Sequence, residues 1–199
     1  MTASEFTALL MLTTAASFSP GPNTTLSTAL AANLGLKRAL RFVCAVPVGW
    51  GLLFSLCAGG VGALVVAVPA LRLAIQFFGV AYLLWLAAKL AQSSQMAQAD
   101  TARLNVTFFQ GVMLQFLNIK AWMLALTVVA GWLAGRADMG ARFAIILPVM
   151  LLFGFFSNLA YATMGSLLRT WLTRGQRLIW FNRIMATVLV VTAAWMATI

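Results

Sequence analysis

The sequence predicts an all-α integral membrane protein: six transmembrane helices in two inverted three-helix repeats, with the first helix broken at Pro20-Gly21-Pro22. Three observations carry this expectation. The chain of 199 residues is 63% hydrophobic and only 8% charged, whereas soluble domains carry about 25% charged residues. Several apolar runs reach the ~20 residues that cross a bilayer. Two prolines and a glycine interrupt the first of these runs, and irregular backbone at membrane depth is stable only inside protein or against a wet cavity.

The first expected span covers residues 6–34, with the motif inside it. The second covers 40–68 and is closed by the sequence VPALR. The third covers 73–91 and leads into a polar linker, 92–105. The fourth covers 106–133, the fifth 143–168 and the sixth 178–199. The two halves are 1–91 and 106–199, and residues 1–199 form a single transmembrane domain. The N-terminal MTASEF has an acid and no Lys or Arg, while a secretory signal begins basic; the first segment is therefore expected to be retained.

Charge orients the spans. Lys37, Arg38, Arg41, Lys89, Arg103, Arg169, Arg174, Arg177 and Arg183 fall on one side, and Arg72, Arg136 and Arg142 on the other. Positive loops face the cytoplasm, which places both termini in the periplasm. The same distribution explains the net charge of +10 as loop charge in contact with membrane lipid, without nucleic acid. There is no histidine, and Cys44 and Cys57 lie in one apolar run without a Cys-x-x-Cys pair. Metal and thiol-redox carriers are poorly served by that inventory, and no cofactor is expected. An intramembrane enzyme would need an acid or a Ser–His pair that the spans lack.

Proline has no N–H and clashes with the preceding turn. Pro20 and Pro22 therefore free the carbonyls of Ala16 and Phe18, and each pushes its predecessor, Ser19 or Gly21, toward extended backbone. From Phe6 to Phe18 a helix climbs ~20 Å, so the break lies deep. A second half-helix starts near Asn23, a good N-cap residue, and its positive end attracts an anionic group. Lys120 lies ~20 Å into the fourth span on the same rise. A charge there costs about 2.5–3.5 kcal/mol on insertion scales, and the three acids, Glu5, Asp100 and Asp138, sit at span ends or in loops. Lys120 must find carbonyls, amides, water or a ligand carboxylate.

Laid without gaps, FSPGPN at 18–23 falls on LNIKAW at 117–122, which sets Lys120 beside the first break. Residues 77–87 fall likewise on 183–193. An odd number of spans per half inverts the halves, and inverted repeats with broken helices at the midplane recur in transporters. Asn158 and Tyr161 share a face of the fifth span with Gly154 and Ser157; a polar cavity wall and small-residue helix packing both account for that stripe. GWLAG at 131–135 has small-xxx-small spacing at a span end.

SPGPN in the first span, FFGVAYLLWLAAKL in the third and NIKA in the fourth resemble the LysE/RhtB family of amino-acid exporters. The resemblance runs over essentially the whole chain, and Pro-Gly-Pro is its most specific element. It implies a bacterial inner-membrane exporter that uses the proton gradient and dimerises as a homodimer. The family's fourth-span motif commonly reads Asn-Pro-Lys; here it is Asn118-Ile119-Lys120, which predicts a softer break. Many members carry Asp after Pro-Gly-Pro where this chain has Asn23, and Gly in the sixth span where it has Met185.

The functional expectation is secondary-active export of amino acids or close derivatives, neutral because the spans hold no acids, by alternating access. The substrate site combines Ser19, Pro20, Gly21, Pro22, Asn23, Asn118 and Lys120. Tyr82, Asn158 and Tyr161 are candidate lining residues, and Lys120 is the proton-coupling candidate. The substrate ammonium would meet the carbonyls of residues 16–19 and the amides of Asn23 and Asn118. A non-transporting membrane scaffold stays open on the sequence; substrate-dependent efflux distinguishes it.

Overall fold

A computed structural model describes residues 1–93, 106–172 and 174–198. Helix α1, Ala3–Phe18, begins with a reciprocal cap: the Thr2 hydroxyl accepts the Glu5 N–H, and the Glu5 carboxylate accepts the Thr2 N–H. It stops at Phe18 because Ser19, before Pro20, is extended. Helix α2, Pro22–Leu34, starts with Pro22 in its first position, where the missing N–H costs nothing. Asn23 therefore lies inside the helix and is not its cap; Gly21 occupies that position.

Gly35, at φ 84°, turns the chain into α3, Leu36–Ala58. That conformation is open to glycine, and it starts α3 four residues earlier than expected. The second expected span also divides, because Gly60 at φ 101° separates α3 from the short α4, Val61–Ala67. Helix α5 is Pro69–Gln92. Most of the linker at 92–105, including Asp100 and Arg103, lies outside the described residues, as does Ile199.

Helix α6, Phe108–Leu117, repeats the reciprocal cap with Thr107 and Gln110. Helix α7, Ile119–Val128, follows at once and ends in a π-helical turn, Val129–Leu133. The last two helices are α8, Met139–Leu172, and α9, Arg177–Ala197. Each of α3 and α8 holds an internal proline, Pro47 and Pro148.

Among the described residues, α3, α5, α8 and α9 are each long and apolar enough to cross a membrane. The pair α6 and α7 makes a fifth candidate, bent by 67°. At 16 and 13 residues, α1 and α2 are each shorter than a span. Large apolar side chains point outward, among them Met11, Phe77 and Leu167, each more than two-thirds exposed. Such a surface suits lipid rather than water.

Helix α2 packs along α8, α5 along α9, and α3 against both α6 and α8. The two closest helix contacts demand glycine. A Cβ at Gly165 would strike the Thr28 carbonyl of α2, and one at Gly79 would strike the Leu117 carbonyl at the end of α6.

The bundle has two distinct ends. At one, the start of α1 meets the end of α7 and the start of α8: Trp132 donates to the Glu5 carbonyl at 2.9 Å, and Arg142 pairs with both Glu5 and Asp138. At the other, the amides of Asn33 and Asn182 bond each other, and Asn182 also donates to the Ser93 hydroxyl. This second end carries a larger share of the basic residues than the first. Lys89, Arg177 and Arg183 lie over the rings of Trp85, Trp171 and Trp180, the pairing typical of a membrane–water interface.

Candidate functional site

The two breaks end their helices at matching positions of the ungapped alignment. Helix α1 ends at Phe18 and α6 at Leu117, and the next residues, Ser19 and Asn118, are both extended. Each break finds partners for its freed carbonyls within the protein. The Ala16 carbonyl, freed by Pro20, accepts the Ser19 hydroxyl at 3.0 Å. The Phe18 carbonyl, freed by Pro22, accepts the Tyr161 hydroxyl at 2.9 Å. At the second break the Phe116 carbonyl accepts the Trp122 indole N–H at 2.8 Å.

With Ile119 in place of proline, the second break still bends the span by 67°. Asn118 explains it without proline. Its side-chain oxygen accepts the Lys120 N–H at 3.1 Å, which caps α7, and its extended backbone ends α6. Asn118 does from the side chain what a proline would do by constraint.

Capping by Asn118 fixes the first turn of α7 and aims Lys120 across the bundle. Its ammonium donates to the Ser19 hydroxyl at 2.7 Å, the Ser19 carbonyl at 3.1 Å and, more weakly, the Pro20 carbonyl at 3.4 Å. Gly21 lets it come close: a Cβ there would lie 3.3 Å from the Lys120 Nζ. Lys120 thus sits on oxygens of the broken first helix. The acids Glu5 and Asp138 are engaged at the end of the bundle by Arg136, Arg142 and the Met1 amino group. Among the described residues no carboxylate pairs with Lys120, so this part-buried ammonium lacks a counter-ion.

Around Lys120 lies a cavity lined by both breaks, α3 and α8. It offers about 70 Å³ to the centres of water molecules, and one water needs roughly 10–15 Å³ on that measure. A few waters or one small solute fill it. Ser19, Gly21, Pro22, Asn23, Asn118, Lys120 and Asn158 all face it. The N–H groups of Asn23 and Thr24, in the first turn of α2, carry the positive end of that helix. Asn158 accepts the Ser27 hydroxyl at 2.9 Å and donates to the Gly154 carbonyl at 2.8 Å, which holds the α8 wall against α2.

Three expected site residues are absent from the lining, and of these Pro20 reaches Lys120 through its carbonyl. Tyr82 packs on α5 against the apolar core and stacks on Trp85, with ring centroids 5.4 Å apart; it is not among the cavity-lining residues. Tyr161 also stands behind the lining, where it braces the break through Phe18. The carbonyls of Ala16 and Phe18 and the Asn23 amide, expected to meet a substrate ammonium, already bond within the chain. GWLAG starts inside the π-helical turn and runs past its end through Ala134 and Gly135, and a Cβ at Gly131 or Gly135 would meet nothing within 4 Å.

Gln115 is the main residue that sequence reasoning missed. It is fully buried on α6 and exchanges two amide hydrogen bonds with Asn23, at 2.9 and 3.1 Å. The signal is an amide in an apolar half-helix, three residues before the break, beyond the Gln110 already used in the cap. Trp50, Met150 and Ser157 also line the cavity.

A model of the LysE type translocator family matches residues 14–198. The chain belongs to the LysE-type translocator family. This translocator is a membrane transporter and not an enzyme. It is 30% identical over 195 residues to the cysteine/O-acetylserine efflux protein of Salmonella typhimurium, covering 97% of both chains. The protein of the same description from Klebsiella pneumoniae is 28% identical over 181 residues, 90% of this translocator and 92% of the relative. That of Escherichia coli K12 is 27% identical over 167 residues, 84% and 85% of the two chains. No solved structure matches the translocator.

Proposed function

We propose that this translocator exports small neutral amino acids across the bacterial inner membrane, and that Lys120 receives the substrate carboxylate. The observation that carries the reading is the ammonium of Lys120, held in a cavity by the hydroxyl and carbonyl oxygens of Ser19 and Pro20. Those neutral oxygens occupy the place that a carboxylate would take, and exchange for a charged acceptor favours the substrate. The N-terminus of α2 adds a second attraction for the same group. The α8 wall of the cavity offers the substrate ammonium Ser157 Oγ and the lone pair of Asn158 Oδ1 that Ser27 leaves free. The efflux proteins similar to this chain are named for cysteine and O-acetylserine, both neutral zwitterions, and a site without acids suits them better than cationic substrates.

Transport proceeds by alternating access of two inverted three-span halves, with α1–α2 and α6–α7 as the broken spans. The matching break positions and the internal prolines of α3 and α8 support this arrangement. The two end clusters support it too. Glu5 of α1 pairs with Arg142 of α8 on one side of the cavity; Asn33 of α2 and Asn182 of α9 pair on the other. Each joins the two halves, so opening either side breaks one cluster and leaves the other. The basic end with its tryptophans is cytoplasmic and both termini are periplasmic. Coupling to the proton gradient runs through Lys120, the one titratable side chain that lines the cavity among the described residues.

Efflux of labelled amino acids from proteoliposomes, with and without a pH gradient, tests the proposal. Wild-type protein should release small neutral amino acids, faster with the gradient, and Lys120→Met should lose at least tenfold. Equal efflux by Lys120→Met removes the site. Unchanged gradient dependence in that variant removes Lys120 as proton carrier.

A further inference from the structure

A second cavity lies between α7 and the corner where α4 meets α5, and it shares no lining residue with the cavity around Lys120. One wall is the face of α7 from Ile119 to Leu126, about 10 Å of helix. Val65, Ile119 and Trp122 are buried in it, while Val66 and Met123 at its rim are exposed and apolar, so the groove opens toward lipid. It offers about 180 Å³ to the centres of water molecules, against about 70 Å³ around Lys120. An apolar space of that kind stays dry and takes hydrocarbon. Arg72 is the one charged residue of its lining, and it is exposed. It stands in the first turn of α5. Ser93, just past the last turn of α5, is bonded to Asn182 at the opposite end of the bundle. Arg72 therefore lies at the end where Glu5 meets Arg142. It is about 5 Å into a helix about 36 Å long, which is headgroup level for a hydrocarbon core of about 30 Å.

We propose that this groove binds one phospholipid of net negative charge, with its phosphate at Arg72 and one acyl chain laid along α7 toward Ile119. A guanidinium grips phosphate oxygens through parallel N–H groups, and its five donors leave room for a phosphate beside a bond within the protein. The lining sets a single positive charge at headgroup level and only apolar surface below it, which is the order of groups along a phospholipid. Charge selects the headgroup: a zwitterionic lipid brings its own ammonium beside the phosphate, and only a net negative one gains the full attraction of the arginine. The site is separate from the amino-acid cavity, so it stands whether or not Lys120 receives a carboxylate.

Native mass spectrometry of the detergent-solubilised, delipidated protein tests the site. The protein is mixed with equal amounts of phosphatidylglycerol and phosphatidylethanolamine of matched acyl chains, and the bound lipid is weighed. Wild-type protein should retain one phosphatidylglycerol per chain, about fivefold over phosphatidylethanolamine. Arg72→Gln should bring that ratio to about one, whereas Arg183→Gln, an exposed arginine at the other end, should leave it unchanged. Val66→Trp, which fills the groove from its exposed rim, should lose the bound lipid. Wild-type protein that retains no phosphatidylglycerol, or a preference that survives Arg72→Gln, overturns the proposal. If Arg72→Gln does not purify, Val66→Trp and Met123→Trp decide, and lipid retention equal to wild type in both overturns it. A second copy of the chain in place of lipid, seen as a dimer that Val66→Trp dissociates, makes the groove a protein interface and overturns it as well.

Discussion

Gly21→Ala separates the site from the fold. Gly21 is fully extended, at φ −178° and ψ −176°, a conformation open to alanine, so the backbone carries no strain. The added Cβ would lie 3.3 Å from Lys120 Nζ, 3.5 Å from Cδ and 3.9 Å from Cε. Only the first is tighter than ordinary contact, so the ammonium must retreat by a few tenths of an ångström. Its weakest bond, 3.4 Å to the Pro20 carbonyl, is then lost, and the 2.7 and 3.1 Å bonds to Ser19 lengthen. A 1 Å misplacement at a reacting group can cost about 100-fold; a few tenths should cost roughly three- to tenfold in kcat/KM. Gly21→Val, which adds two methyl groups beyond alanine on the same side, should cost far more. Thermal unfolding of the detergent-solubilised protein should shift little for alanine, while proteoliposome efflux falls in the order glycine, alanine, valine. Wild-type efflux by both variants would refute the placement of Lys120 at the substrate.

Gly79→Ala and Gly165→Ala push a methyl group into the carbonyls of Leu117 and Thr28; each should destabilise the fold by about 1–3 kcal/mol, read as a lowered unfolding temperature. Gln115→Leu leaves the Asn23 amide without its two bonds and should cost about 1–3 kcal/mol, also seen in thermal unfolding; Asn23→Leu on the same background should recover part of it. The Thr2 N–H first, and Arg142 next, hold the Glu5 carboxyl below the usual carboxylate range. The hydrogen bond from Arg142 holds Asp138 below it as well. Lowered carboxyls contribute stability that is present above their unfolded values, near pH 4, and is lost as pH falls through the folded values. Unfolding temperature should drop through that window in wild type and drop less in Glu5→Gln/Asp138→Asn.

Much of the site was legible because depth and charge count leave few solutions. A lysine in the fourth span, with no acid at its depth, had to find backbone oxygens, and Pro20 and Pro22 advertise where backbone oxygens are freed. The carbonyls that Lys120 takes are nevertheless those of Ser19 and Pro20, because hydroxyls from Ser19 and Tyr161 reach Ala16 and Phe18 first. A short hydroxyl competes well for a carbonyl one turn away, and Tyr161 arrives from another helix that no local pattern announces. The cap of α2 was misplaced by two residues because Asn23 is a good capping type, but Pro22 already has the dihedral of a first helical residue. Ile119 carried no information about the bend, which depends on the Asn118 side chain. Gln115 and Asn23 are 92 residues apart, and only packing brings them together. Tyr82 sits in the stretch that most resembles the family, yet its ring packs outward of the cavity, since resemblance in an apolar span reports helix packing as readily as substrate contact.

The most direct test of the central claim is binding of O-acetylserine and of its methyl ester to purified protein, measured by titration calorimetry. The ester keeps the ammonium and the side chain and removes only the carboxylate charge. Wild-type protein should bind the acid at least tenfold more tightly than the ester, and Lys120→Met should bind the two alike. An undiminished preference for the acid in Lys120→Met would contradict the assignment of Lys120 as the carboxylate receptor.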